Sequence, residues 1–152
     1  MADFGPAFGD SNNLIVGPLL LVGGAAVTSE AVVNAYDGQK FPLLVKARHT
    51  VLVQLPRNVW RTAGLAYGPL PQGIVKVSDA YDSIRFVACG DRDEPSGSKA
   101  GGPVTFWSGF VMTSLPTCLP LDVYVDDEAA PHRVEIALGA SCKGIPAAIA
   151  SS

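Results

Sequence analysis

Alternating apolar and polar residues near the C-terminal end of the chain predict an antiparallel hairpin. In the strand predicted at 119–126 every second residue is apolar from Leu121 on, and the same alternation runs through RVEIAL at 133–138. We expect the apolar set of each segment, which includes Val123 and Ile136, to face a core, and the intervening residues, Ala137 among them, to face outward. The segment DEAAP at 127–131 is typical of a turn.

This hairpin brings two cysteines towards each other. If Asp126 lies opposite His132, the numbers of paired residues add up to about 258 along the ladder. Cys118 then lies opposite residue 140, close to Cys142, and we predict a Cys118–Cys142 disulfide. It would close a loop of about 24 residues and contribute about 3 kcal/mol in the chain-entropy model. With this bridge formed, Cys89 is left unpaired or bonds to another chain. The alternative is that Cys118 and Cys142 are two buried thiols.

Short β-prone runs between turn residues predict several further strands. We place them at 14–22, 43–47, 50–55, 63–67, 74–77, 83–89 and 104–112, with a bulge at Gly109 in the last. A single helix-like segment runs from Ser29 to Ala35, with Thr28 or Ser29 as its N-cap, and ends at YDG, residues 36–38.

Composition supports the same fold class. The 152 residues include 16 Gly and 12 Pro, too many interruptions for long helices, while 48% are hydrophobic and only 16% are charged. We predict an all-β fold, a single antiparallel β-sandwich of immunoglobulin-like architecture with about seven to nine strands. Residues 1–13 form a disordered or extended N-terminal segment, 14–143 the β-sandwich domain and 144–152 a frayed C-terminal tail.

The charge is unevenly distributed along the chain. The net charge of −3 argues against nucleic acid as a partner. Residues 1–37 carry −4, residues 38–78 carry +6 and residues 79–152 carry −5. Either basic and acidic strands neighbour each other and pair, or the basic stretch 38–78 forms a face for an anionic partner. No transmembrane segment is predicted, because the longest apolar run, 14–27, has fourteen residues and contains Gly17-Pro18.

Several motifs resemble a group of uncharacterised small exported proteins of high-GC Gram-positive bacteria. The motifs are LIVGPLLLVGGA, GLAYGP, IRFVACG, FWSGFVM, TCLPLDVYVDD and HRVEIALGASC, and they span most of residues 14–142. Such proteins follow a signal peptide or a lipoprotein signal and have no assigned activity. The resemblance implies an extracellular or cell-envelope β-sandwich whose signal segment has been removed, with cysteines at positions like those of Cys89, Cys118 and Cys142. It implies no catalytic residue.

Candidate chemistry in the sequence is sparse. A hydrolase would need His49 or His132 to be buried beside a carboxylate, and no nucleophile elbow motif is present, so we assign no catalytic residues. Two acidic clusters are weak calcium candidates, the first formed by Asp91, Asp93 and Glu94 and the second by Asp126, Asp127 and Glu128. Neither matches an EF-hand, and solvated acidic turns are the alternative. We expect no metal and no cofactor.

The aromatic residues are the better binding candidates. Trp60, flanked by Arg57 and Arg61, and Tyr67 form a candidate platform for sugar rings or acidic partners. The alternative is that Trp60 caps the core under the arginine stems. We therefore predict a non-enzymatic exported or cell-surface binding module, with an unknown protein or glycan partner and a working surface at loop 90–103 beside Trp60. A structural subunit of an envelope assembly is the second hypothesis, and a hydrolase the third.

Overall fold

A computed structural model describes residues 9–68, 76–88 and 104–142. The described residues form eleven strands and one short helix. The strands are β1 (Leu14–Val16), β2 (Leu19–Leu21), β3 (Gly38–Lys40), β4 (Leu43–Lys46), β5 (Thr50–Gln54), β6 (Ala63–Tyr67), β7 (Ser83–Val87), β8 (Val104–Trp107), β9 (Gly109–Thr113), β10 (Thr117–Val125) and β11 (His132–Leu138). The helix α1 spans Glu30–Tyr36, and two 3₁₀ turns span Arg57–Val59 and Val77–Asp79.

The strands form three antiparallel sheets. Sheet A has the order β1-β2-β4-β8, sheet B the order β11-β10-β5-β7 and sheet C the order β3-β9-β6. One hydrophobic core is shared by all three sheets and includes Leu43, Val53 and Val111. The predicted all-β, sandwich-like fold is confirmed. The described strands number eleven rather than seven to nine, because two of the predicted strands are each divided and β3 was not predicted.

The first division shows that sheets A and C are two parts of one bent layer. Paired residue numbers add up to 150 both in β4–β8, as in Leu43 with Trp107, and in β3–β9, as in Lys40 with Phe110. Phe41 continues this register, donating its N–H to the Gly109 carbonyl at 3.1 Å. The run predicted as one strand at 104–112 therefore keeps its partner but changes sheet at Ser108.

Gly109 explains why the layer bends at this point. A Cβ at position 109 would lie 2.3 Å from Cδ2 of Tyr67 and 2.6 Å from the carbonyl oxygen of Ala66. Only glycine permits so close an approach of β6 to the bend. On the facing segment, Pro42 has no N–H to give to the ladder. The bulge predicted at Gly109 is thus a corner between two sheets.

The second division lies in the apolar run 14–27. The strand predicted at 14–22 is a hairpin of β1 and β2 with Gly17-Pro18 as its turn, and Val16 pairs with Leu19. Gly17 adopts a positive φ of 55° in this turn. Upstream, residues 9–13 form a turn in which buried Asn13 accepts the Gly23 N–H at 2.7 Å.

The β10–β11 hairpin forms as predicted, but its register differs by three residues. Val123, not Asp126, pairs with His132, and Cys118 pairs with Ala137. The reason is that Asp126 leaves the ladder with φ 51° and bonds Thr50 on β5 instead. The alternating residues expected to face the core are buried. Ala137, expected to face outward, is buried as well.

The Cys118–Cys142 disulfide is present, with Cα atoms 5.1 Å apart. Helix α1 also matches its prediction within one residue. Ser29 is its N-cap, accepting the Val32 N–H at 3.2 Å, and Asp37 ends it in the left-handed conformation. β3 was not predicted, because GQK carries no apolar alternation.

Most remaining strands match the expected ranges within two residues, whereas the strand expected at 74–77 falls largely outside the described residues. Of the expected segment 74–77, Val77 begins a 3₁₀ turn. In the described part of the chain no helix has the length and apolar character needed to cross a membrane.

Candidate binding clefts

Trp60 covers the core beneath an arginine, which is the alternative to an exposed binding platform. Its indole N–H donates to the Leu55 carbonyl at 2.8 Å, and its ring packs against the core. The Arg57 guanidinium lies 5.2 Å from the centre of the ring, while Arg61 is exposed. Trp60 therefore covers one edge of the core, and Arg57 stacks on the outer side of its ring.

Tyr67 does not join Trp60 on the surface. Its side chain is only 2% exposed, and its hydroxyl donates to the Phe41 carbonyl at 2.5 Å. Burial raises the pKa of Tyr67 above its usual value, so the phenol stays protonated and keeps this hydrogen bond. The four predicted ligand-binding residues therefore divide into a surface group at Trp60 and a core residue at the bend.

Both histidines contact a carboxylate but remain at the surface. His49 Nδ1 lies 2.9 Å from Asp126, and His132 Nε2 lies 2.8 Å from Glu128. Both imidazole side chains are 39% exposed. Among the described residues, no hydroxyl or thiol is hydrogen-bonded to either ring. The arrangement of a buried catalytic triad is thus missing from this part of the chain.

The acidic turn at 126–128 is occupied by other interactions. Burial works to raise the pKa of Asp126, but the Thr50 amide and His49 outweigh it, so the pKa lies below its ordinary value. With Asp126 and Glu128 each holding a histidine, the described carboxylates of this turn do not converge on one ion-sized site. The other calcium candidates, Asp91, Asp93 and Glu94, and loop 90–103 lie outside the described residues, as does Cys89.

A cleft that the sequence did not reveal opens between the end of β6 and β7. It has a volume of about 400 Å³. The lining residues are Tyr67, Gly68, Tyr81, Ser83, Ile84, Arg85, Phe86 and Trp107. We call it the aromatic cleft.

The floor of the aromatic cleft is a row of three rings in edge-to-face contact. The ring centres of Tyr67 and Phe86 are 5.6 Å apart with planes at 89°, and those of Phe86 and Trp107 are 5.1 Å apart at 72°. Such contacts fix the ring orientations. The Tyr67 hydroxyl anchors the row to the Phe41 carbonyl. Of the three rings only Trp107 is partly exposed, whereas Tyr67 and Phe86 are each 2% exposed and support it from the core.

The rim of the aromatic cleft is polar and accessible. Tyr81 is 40% exposed, and two backbone hydrogen bonds with Leu65, at 2.8 and 2.9 Å, fix its position beside β6. Ser83 and Arg85 are exposed on β7. Because a hydroxyl and a guanidinium flank an apolar floor, the cleft combines stacking with hydrogen bonding.

A second cleft of about 440 Å³ adjoins the first, since Gly68 lines both. Its walls include Phe110, which is 42% exposed, Tyr36, which is 70% exposed, and Lys40. Lys40 and Phe110 come together because they are register partners in β3 and β9. Three exposed aromatic rings line these clefts: Tyr81 lines the first, and Tyr36 and Phe110 line the second.

A third depression shows how the basic stretch is placed. It is lined by Arg48 and Arg85 together with Asp126 and Asp127. Acidic and basic groups are intermixed there, which agrees with the hypothesis that the oppositely charged segments neighbour each other. The geometry favours that hypothesis over a uniformly basic face at this position.

Comparisons with protein-family models, with curated proteins and with solved structures gave no match for this chain.

Proposed function

We propose that the protein is a non-enzymatic exported or cell-surface module that binds a glycan in the aromatic cleft. The observation that carries this proposal is a cleft in which the partly exposed Trp107 ring, fixed by the buried rings of Phe86 and Tyr67, lies under a rim of Tyr81, Ser83 and Arg85. Sugar rings present C–H faces that stack on aromatic rings and hydroxyls that bond to polar side chains. A guanidinium also accommodates the carboxylate of an acidic sugar.

Two further features support the proposal. The disulfide suits an oxidising compartment outside the cytoplasm. The surface position of both histidines supports binding rather than hydrolysis.

The test is calorimetric titration with neutral and acidic oligosaccharides of four to eight sugars. We expect Tyr81→Ala and Arg85→Ala to weaken binding of the best oligosaccharide at least about tenfold, equivalent to about 1.4 kcal/mol. Arg57→Ala is the matched control, because Arg57 stacks on Trp60 outside the cleft. Unchanged affinity in both cleft variants would rule out the aromatic cleft, and a loss in Arg57→Ala alone would move the site to the Trp60 surface.

A structural subunit of an envelope assembly is the second candidate function. Such a subunit needs an exposed apolar patch. The strands of the apolar run 14–27 are core, and the tail lies outside the described residues. The exposed rings of Tyr36, Phe106 and Phe110 favour this candidate instead. Light scattering on the eluting protein tests it: self-assembly that Phe110→Ser abolishes would support it, and a monomer at all concentrations would count against self-assembly.

A further inference from the structure

Three metal-ligating groups meet on the outer face of sheet B, away from the clefts. The Sγ atoms of Cys118 and Cys142 and a carboxylate oxygen of Glu135 all lie within 4.8 Å of one another. All three residues are half-buried, so solvent and small reagents reach them. We call this group the Cys-Glu cluster.

The sheet register produces this juxtaposition. Cys118 pairs with Ala137 and Pro120 pairs with Glu135 across β10 and β11. Side chains two residues apart share a face, so Cys118 and Glu135 project on the side opposite buried Leu119. The segment after β11 then brings Cys142 back beside Cys118, with the two Cα atoms 5.1 Å apart.

We propose that reduction of the disulfide converts the Cys-Glu cluster into a Zn²⁺ site. Two molecules of a low-molecular-weight thiol reduce the bond and become a disulfide themselves, leaving Cys118 and Cys142 as thiols. Zinc displaces the two thiol protons, which pass to water, and takes the Glu135 carboxylate as its third ligand. Disulfide and metal exclude each other because they use the same sulfur atoms.

The donor set and its spacing suit zinc. Two thiolates and one carboxylate are ligands that zinc accepts, and water fills the fourth tetrahedral position. With Zn–S bonds of about 2.3 Å, the sulfurs stand about 3.8 Å apart, which rotation about the Cα–Cβ bonds allows at this Cα separation. The Glu135 carboxylate is available because it has no hydrogen bond to another described side chain, whereas neighbouring Arg133 is bonded to Asp122.

Zinc in this position would replace the covalent cross-link. Cys118 lies near the start of β10 and Cys142 lies beyond the end of β11, so either bond joins the open end of the hairpin. The hairpin is then held closed under oxidising and reducing conditions alike, by a disulfide in the first case and a metal in the second.

The experiment compares Zn²⁺ and Co²⁺ binding by the oxidised and the phosphine-reduced full-length protein. We expect the reduced protein to bind one Co²⁺ with thiolate charge-transfer absorption, Zn²⁺ to displace it, and the oxidised protein to show neither. Glu135→Gln should weaken binding by at least the roughly 10- to 100-fold that loss of an outer-shell partner costs. Glu128→Gln, on the turn of the same hairpin, is the matched control and should bind like wild type.

Protection of the thiols from alkylation is measured on the wild-type protein, so this test does not depend on whether a variant folds. In the reduced wild-type protein, stoichiometric Zn²⁺ should protect Cys118 and Cys142 from alkylation and leave the extent of Cys89 alkylation unchanged, as peptide mass spectrometry records. Equal alkylation with and without Zn²⁺ would overturn the proposal, as would wild-type affinity in Glu135→Gln. Loss of binding in Cys89→Ser would place the metal elsewhere.

Discussion

Replacing Tyr67 by Phe tests the bend that positions the aromatic cleft. The substitution removes the hydroxyl that donates to the Phe41 carbonyl and leaves the ring in the core. A buried carbonyl without its partner costs about 1–3 kcal/mol. Each kcal/mol lowers the melting temperature of a chain this long by about 2–4 °C. We therefore expect Tyr67→Phe to melt several degrees below wild type.

Urea unfolding of the oxidised protein, followed by circular dichroism, measures the free energy of unfolding directly. The midpoint should fall while the slope stays constant, since the surface exposed on unfolding does not change. Tyr124→Phe is the matched control, because Tyr124 is half-buried on the outer face of β10. Its effect should stay within about 0.5 kcal/mol.

The stability difference between wild type and Tyr67→Phe depends on pH. Because burial raises the pKa of Tyr67, the unfolded chain loses this proton near pH 10 while the folded chain keeps it. The stabilising contribution is complete below the unfolded pKa and is lost as pH rises towards the folded one. The difference between wild type and Tyr67→Phe should shrink above about pH 10. A difference that stays constant or grows, or one below about 0.5 kcal/mol at neutral pH, would refute this reasoning.

Three further predictions concern the bend at Gly109, the Cys118–Cys142 disulfide and the acidic turn at 126–128. Gly109→Ala should lose at least the roughly 1–3 kcal/mol of an overpacked core, measured by urea unfolding, because its Cβ would overlap Tyr67; an unchanged midpoint would contradict this. Cys142→Ser should lose about 3 kcal/mol relative to the oxidised protein and nothing relative to the reduced, metal-free protein. Asp126→Asn should lose stability only above the ordinary carboxyl pKa of 3.8, and the difference should vanish as pH falls through the lowered folded pKa.

The sequence predicted elements whose signal is local. The β10–β11 hairpin and helix α1 follow from alternation and from a Ser29 cap, and each was placed within about two residues. The divided runs were missed because their cause is distant in sequence: Gly109 matters through Tyr67 on β6. The hairpin register was wrong because Asp126 bonds to Thr50 on β5, a contact no hairpin pattern contains.

The candidate site was less predictable than the fold. The structure places Trp107 against the core and leaves Phe106 and Phe110 exposed. Tyr81 lies outside any alternating run, and it reaches the cleft only through its bridge to Leu65. Glu135 was assigned simply to the outer face; that it neighbours Cys142 depends on how the chain turns after β11.

The central claim is that the aromatic cleft receives a sugar ring, and a nitrogen–proton correlation spectrum tests it most directly. The two indole N–H signals belong to Trp107, which lines the cleft, and Trp60, which lies under Arg57 outside it. Titration with acidic and neutral oligosaccharides should shift the Trp107 indole and the Arg85 amide and leave the Trp60 indole in place. A shift of Trp60 with Trp107 unmoved, or no shift at millimolar oligosaccharide, would contradict the claim.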